Sequence, residues 1–198
     1  MIEVFADIWC PFAYVGLQIV RARRDEFAPD VPVRVRAWPL ELVNGAPMDV
    51  GKTTRNVAAL REQLDVGLFE GFDPARFPTT TLPALAAAAA ATRAGHGEAA
   101  NFRVRAALWE EGRDIGDEAE AAALAAEFGV EITDADRQSV LDDWHEGQQR
   151  GVQGSPHFFC GANNVFCPSL ALARDDDGVL HVAPDPSRLE AFLSSCWS

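Results

Sequence analysis

Cys10 is followed by Pro11, Phe12 and Ala13, and chemistry is read most readily from this residue. A thiol can attack a disulfide, accept one, or support the sulfur of a second thiol, and its reactive form is the thiolate. A β-branched and aromatic run, residues 2–6, comes just before it, and a helix-compatible run begins at Pro11. The cysteine therefore stands where a strand hands over to a helix, with proline at the first helical position. Free N–H groups and the helix dipole at such a point favour the thiolate, so a lowered pKa is expected. The spacing would ordinarily put a second cysteine three residues on, as a dithiol redox pair. That place is Ala13. The reactive half of the pair is present and the resolving half is missing.

The elements around it read as β-α-β, a helical block, then β-β-α. Residues 2–6 form a strand and 11–27 a helix with Tyr14, Val15, Ile19 and Val20 available for its buried face. Residues 31–40 alternate Val33, Val35 and Ala37 against Arg34, Arg36 and Trp38, a second strand. A unit of this size implies parallel strands with a right-handed crossover. Helices follow over 53–65, 81–94 and 98–111. Asp117 with Glu120 opens a fourth that ends at Gly129, and Thr133 with Asp136 a fifth that ends near Arg150. Residues 156–160 and 165–167 read as a hairpin around Gly161-Ala162-Asn163-Asn164. Residues 179–182 form a short extra strand, and Asp185 with Pro186 opens a last helix to about Ser195.

The 198 residues suit one domain, or one with a large insertion. A hydrophobic fraction of 48% is enough for a core. A net charge of −13, with Lys52 the only lysine, argues against DNA or RNA as partner, because phosphate binding needs clustered cations. The apolar run 84–91 is too short to cross a membrane, and Met1 leads straight into the first strand without a signal-like segment. A soluble, cytoplasmic protein with reduced cysteines is expected, with no nucleic-acid or membrane partner.

Four segments in order carry a family resemblance: 7–12 (Asp-Ile-Trp-Cys-Pro-Phe), 38–42 (Trp-Pro-Leu-Glu-Leu), 108–115 (Leu-Trp-Glu-Glu-Gly-Arg-Asp-Ile) and 151–158 (Gly-Val-Gln-Gly-Ser-Pro-His-Phe). Together they resemble the DsbA-like branch of the thioredoxin superfamily. Within it the chain is most similar to the group of 2-hydroxychromene-2-carboxylate isomerase, kappa-class glutathione transferases and DsbA-like disulfide oxidoreductases. The resemblance implies an α/β, thioredoxin-like fold from residues 1–45 and 151–198, with an all-helical insertion over 46–150. It makes Cys10 the attacking cysteine of the oxidoreductases, a place usually held by serine in the isomerase and the kappa transferases. Ser155-Pro156 becomes the cis-proline loop lying against the active sulfur, with Ser155 and Pro156 joining Cys10 as catalytic residues. Trp9, Pro11, Phe12, Ala13, Trp38, Leu40, Asn44, Gln153 and Gly154 are the implied substrate or thiol contacts. Trp9, Phe12, Trp38 and Leu40 would form an apolar rim around the sulfur.

No covalently bound cofactor is expected; a low-molecular-weight thiol such as glutathione is the implied co-reactant. The implied partners are that thiol and a small-molecule or protein-disulfide substrate, and relatives in this branch are often homodimers. His157 follows the proline and is expected to point away from it, since neighbouring strand residues face opposite sides. His96, His145 and His181 read as solvated. His157, Cys160 and Cys167 lack a fourth ligand for zinc, so no metal is expected. Cys160 and Cys167 would face each other across the hairpin. Cys160 lies four residues beyond Pro156, roughly 13 Å along a strand, whereas a disulfide needs Cα atoms within about 7 Å. Neither is expected to resolve a disulfide on Cys10, and Cys196 is expected to be packed or exposed.

Three functions compete. The first is an atypical, monothiol thiol–disulfide oxidoreductase whose mixed disulfide is resolved by an external thiol. The second is a thiol-cofactor isomerase or transferase, with its substrate in the helical block. The third is a degenerate member that binds without turnover.

Overall fold

Ile2, Val4 and Ala6 point to one side of a strand and Phe5 to the other, and both sides are buried. The structure, a computed structural model, describes residues 1–64 and 66–196. The chain opens with β1 (Ile2–Ala6), α1 (Pro11–Phe27), β2 (Val33–Ala37) and α2 (Leu40–Asn44). The helical stretch is α3 (Val50–Leu64), a 3-10 turn (Pro74–Arg76), α4 (Leu82–Arg93), α5 (Gly97–Trp109), α6 (Glu118–Ala126) and α7 (Asp134–Gln149). The last part holds β3 (His157–Cys160), β4 (Asn163–Phe166), β5 (Leu170–Arg174), β6 (Leu180–Pro184) and α8 (Pro186–Ser194). One sheet runs in the order β2-β1-β3-β4 and a second pairs β5 with β6. β1 and β2 are parallel, as the β-α-β reading requires, and β3 is antiparallel to β1.

The sheet buries two faces. On one, Ile2, Val4, Val35 and Phe158 pack with Leu17 and Val20 of α1 and with Leu189, Phe192 and Leu193 of α8. On the other, Phe5, Phe159 and Trp38 meet Trp144 of α7. α4 can sit among α5, α6 and α7 because most of its packed side chains are alanines, which let backbones approach closely. An aromatic cluster of Tyr14, Phe69, Phe77 and Trp109 joins the helical stretch to α1.

Gly147 of α7 shows how tight the second face is. A Cβ there would lie 2.5 Å from the Trp38 ring and 3.1 Å from Phe5. Gly147→Ala is therefore expected to lose about 1–3 kcal/mol despite alanine's better helix propensity, read as a lower Tm in thermal denaturation. An unchanged or higher Tm would show that the ring moves freely.

Several elements differ from expectation. β2 ends at Ala37 rather than continuing to Leu40. Pro39 has no N–H for a ladder, and the Leu40 N–H turns to the Asp7 carboxylate as α2 begins. α3 starts three residues earlier than expected and is described to Leu64; Asp65, the expected end, lies outside the described residues. The hairpin is tighter than expected, with Asn163 and Asn164 inside β4. β5 was not anticipated: it pairs with β6, and Leu172 stays exposed on it, so no clear apolar alternation marks it.

Candidate active site

Cys10 caps α1, with Pro11 buried at the first helical position. Its sulfur accepts the Ala13 N–H at 3.4 Å, and its S–H donates to the Ser155 carbonyl at 2.9 Å. The Ser155-Pro156 peptide is cis. The Ser155 hydroxyl in turn accepts the Asp7 N–H at 2.9 Å, so Ser155 ties the end of β1 to the sulfur. Cys10, Ser155 and Pro156, distant in sequence, thus meet at the carboxyl end of β1, where open α/β sheets place their sites. Gly154 ahead of them admits no side chain, because a Cβ would lie 2.8 Å from the Phe166 ring.

The electrostatics differ from the expectation at Cys10. The helix N–H groups of Ala13 and Phe12 do favour the thiolate, but burial outweighs them and pushes the thiol up to about 11. The residue is only 5% exposed. At neutral pH the resting sulfur carries its proton, which is the proton donated to Ser155.

Two ionisable residues beneath it were not singled out from sequence. Asp7 is fully buried and accepts N–H bonds from Trp9 and Leu40. Burial pushes its carboxyl up to about 6, against the pull of these donors, the Thr81 hydroxyl and Arg105. Arg105 of α5 is buried too, and burial brings it down to about 10, opposed by the charges of Asp7 and Cys10. Its guanidinium donates to Asn101 through Nη1 at 2.9 and 3.0 Å and to the Ala6 carbonyl at 3.4 Å, while its Nε–H has no hydrogen-bond partner among the described residues. Asp7 belongs to the segment 7–12 but has no local signal of burial, and Arg105 sits in a helix where only long-range packing reveals burial.

Asp7 makes a pH prediction. The native protein keeps this carboxyl protonated up to about pH 6, the unfolded chain only to its ordinary 3.8. Between those values the native state binds more protons, so wild type loses stability as pH rises through the window. Asp7→Asn lacks the group. Its stability relative to wild type is expected to rise by up to about 3 kcal/mol from acid to neutral pH, read by urea denaturation at each pH. A difference that stays flat would mean that Asp7 titrates alike in both states.

The implied contacts scatter. Ala13 is buried beside the sulfur. Phe12 is half-buried and packs against both large core clusters. Trp9 is wholly buried, stacked on Phe77 with centroids 6.3 Å apart, and is core rather than rim. Trp38 lies on the other face of the sheet, against Phe5 and α7, so it does not border the sulfur. Leu40 reaches the site through its N–H to Asp7. Asn44 is exposed at the end of α2, and Gln153 is exposed with its N–H on His157 Nδ1. His157 is buried between that bond and Asn164 at 3.0 Å; burial lowers its pKa.

The cysteines pair differently from the expected hairpin contact. Cys160 stands opposite Asn163, and the Cys167 N–H bonds the Pro156 carbonyl at 2.9 Å. Cys167 takes φ +46°, is buried, and is held near 12 by burial and by the charge of Cys10. Among the described residues no group of three His, Cys, Asp or Glu converges on a metal position. A cavity of about 270 Å³ between β2, α4 and α7, lined by Arg34, Ala89, Arg93 and Ser139, is not lined by Cys10, Ser155 or Pro156. No described helix is long and apolar enough to cross a membrane.

The sequence pattern of the DSBA-like thioredoxin domain matches residues 1–172. The chain belongs to this family. The expected thioredoxin-like fold with a helical insertion is the one observed. Solved structures similar to it include a candidate protein disulfide isomerase from Nitrosomonas europaea, at 15% identity and TM-score 0.67, covering 98% of this chain and 97% of that one. 2-Hydroxychromene-2-carboxylate isomerase aligns at 14% identity and TM-score 0.61, over 83% of this chain and 87% of its own. The cytosolic disulfide reductase DsbM from Pseudomonas aeruginosa with GSH aligns at 17% identity and TM-score 0.59, covering 98% and 97%. At these identities the likeness is one of fold. No curated protein matches the chain in sequence. Membership of the DsbA-like family supports an enzymatic activity.

Proposed function

We propose that this DsbA-like protein is a thiol–disulfide oxidoreductase of monothiol type, working in the cytoplasm with a low-molecular-weight thiol such as glutathione. The observation that carries the reading is the setting of Cys10. Its sulfur is held between a helix N–H and the Ser155 carbonyl, with alanine where a resolving cysteine would stand. In the resting site the thiol is protonated, so exchange begins when a disulfide docks at Ser155-Pro156 and displaces the S–H bond to Ser155. Asp7, with its carboxyl near 6, is ionised at neutral pH and is the nearby base for the released proton.

The Cys10 thiolate attacks one sulfur of the disulfide, forming a mixed disulfide, and the other sulfur leaves as a thiolate that takes up the proton. An external thiolate then attacks the mixed disulfide, a new disulfide departs, and the Cys10 sulfur regains a proton. Each turnover consumes one external thiol and releases a mixed disulfide; exchange of that mixed disulfide with a second external thiol completes the reduction, so two external thiols are oxidised for each disulfide reduced. Steady-state reduction of a small disulfide by glutathione is expected to fall at least about a thousandfold in Cys10→Ala. An unchanged rate would overturn the proposal.

One observation favours a second reading. A protonated S–H that donates a hydrogen bond can support the thiolate of a bound cofactor, as a serine hydroxyl would, which suits a thiol-dependent isomerase or transferase. Retained activity toward an aromatic substrate in Cys10→Ser, with exchange lost, would select that reading.

A further inference from the structure

At the opposite end of the sheet from Cys10, two cysteines that the proposed reaction does not use lie side by side. Cys160 ends β3, and the antiparallel register carries this strand away from the active end of β1, with Phe5 opposite His157 and Glu3 opposite Phe159. Cys196 follows the last turn of α8, where its S–H donates to the Phe192 carbonyl at 3.5 Å. The Cys160 sulfur lies 4.0 Å from the carbonyl oxygen of Ser195, the residue before Cys196. Both cysteines belong to the core cluster between sheet and α8, at 8% and 9% exposure. All four cysteines are free.

We propose that Cys160 and Cys196 form a reversible disulfide that ties α8 to β3, a second thiol–disulfide site independent of Cys10. The Cys160 sulfur already reaches the backbone next to Cys196, and both side chains lie in one core cluster, so side-chain movement can bring the sulfurs to a bond of about 2.05 Å. The oxidant is a low-molecular-weight disulfide, RSSR. The first attack comes from Cys160. Its thiolate forms Cys160–S–S–R and expels RS⁻, which is protonated. Cys196 then loses its proton and attacks the Cys160 sulfur; the protein disulfide forms and a second RS⁻ leaves as thiol. Two protein thiols are oxidised and one RSSR is reduced to two RSH. An excess of small thiol reverses both steps.

The closed loop holds the 35 residues between the two cysteines, including the β5–β6 pair and α8. Joining its ends restricts the unfolded chain, so the oxidised protein is expected to melt at least about 5 °C higher. The test treats the full chain with oxidised glutathione, blocks remaining thiols, and maps disulfides by non-reducing digestion and mass spectrometry. The expected result is a peptide pair joining Cys160 to Cys196, with a raised Tm that returns to the starting value on reduction. Cys160→Ser and Cys196→Ser should each abolish the pair and the Tm rise. Cys10→Ser should keep both, which separates this site from the proposed exchange reaction. Recovery of Cys160 and Cys196 as blocked thiols, or of either joined to another cysteine, would overturn the proposal.

Discussion

The Ala13→Cys variant is expected to release a mixed disulfide from Cys10 without added thiol, at least about a hundredfold faster than wild type does under the same conditions. The Ala13 N–H already points at the Cys10 sulfur from 3.4 Å, so a thiol on the same residue sits one helical turn from its target. Intramolecular attack replaces a bimolecular step, which is the source of the acceleration. The added sulfur enters a fully buried position, and overpacking is expected to cost about 1–3 kcal/mol. The check is the lifetime of the mixed disulfide by mass spectrometry, with circular dichroism to confirm folding. A folded variant whose adduct lives as long as that of wild type would show that the first turn of α1 does not present residue 13 to the sulfur.

Arg105→Met is expected to destabilise the protein by about 3–5 kcal/mol. Methionine fills much of the same space, so the loss is electrostatic. Asp7 would stay buried without its counter-charge, and the carbonyls of Asn101 and Ala6 would lose their donors. The Asp7 carboxyl should then hold its proton to still higher pH, so the loss grows as pH rises above 6. Arg105→Lys keeps the charge but cannot reproduce the two bonds to Asn101, and should fall between the two. Chemical denaturation at pH 5 and pH 8 reads both effects. A loss that is small and equal at the two values would mean that the pair contributes nothing to the buried site.

How far the sequence could be read depended on whether the physics was local. The span of α1 was legible to the residue, because an N-cap cysteine, a proline at N1 and an apolar face are all short-range signals. The parallel β1–β2 pair followed from connection length. The cis-proline loop and the thioredoxin-like order followed from resemblance, and geometry places that loop on the sulfur. The charge state of Cys10 was not legible. The helix terminus is a local effect and was read correctly as lowering the pKa, whereas burial comes from segments far along the chain and dominates. Asp7 and Arg105 escaped for the same reason: the Arg105 bond to Ala6 spans 99 residues. Trp9 and Trp38 share an aromatic signature, yet only the sheet register decides that one packs under the helical stretch and the other on the far face.

The proposed role of Cys10 comes down to whether its mixed disulfide waits for a thiol from outside. The direct measurement is intact-mass and peptide-level spectrometry of the protein after a small disulfide is added, first alone and then with free thiol. A single small-thiol adduct on Cys10 that persists until the thiol is added, and then disappears, is the predicted result. An adduct that never forms, or one that converts by itself to a disulfide between Cys10 and another cysteine of the chain, such as Cys167, would contradict it.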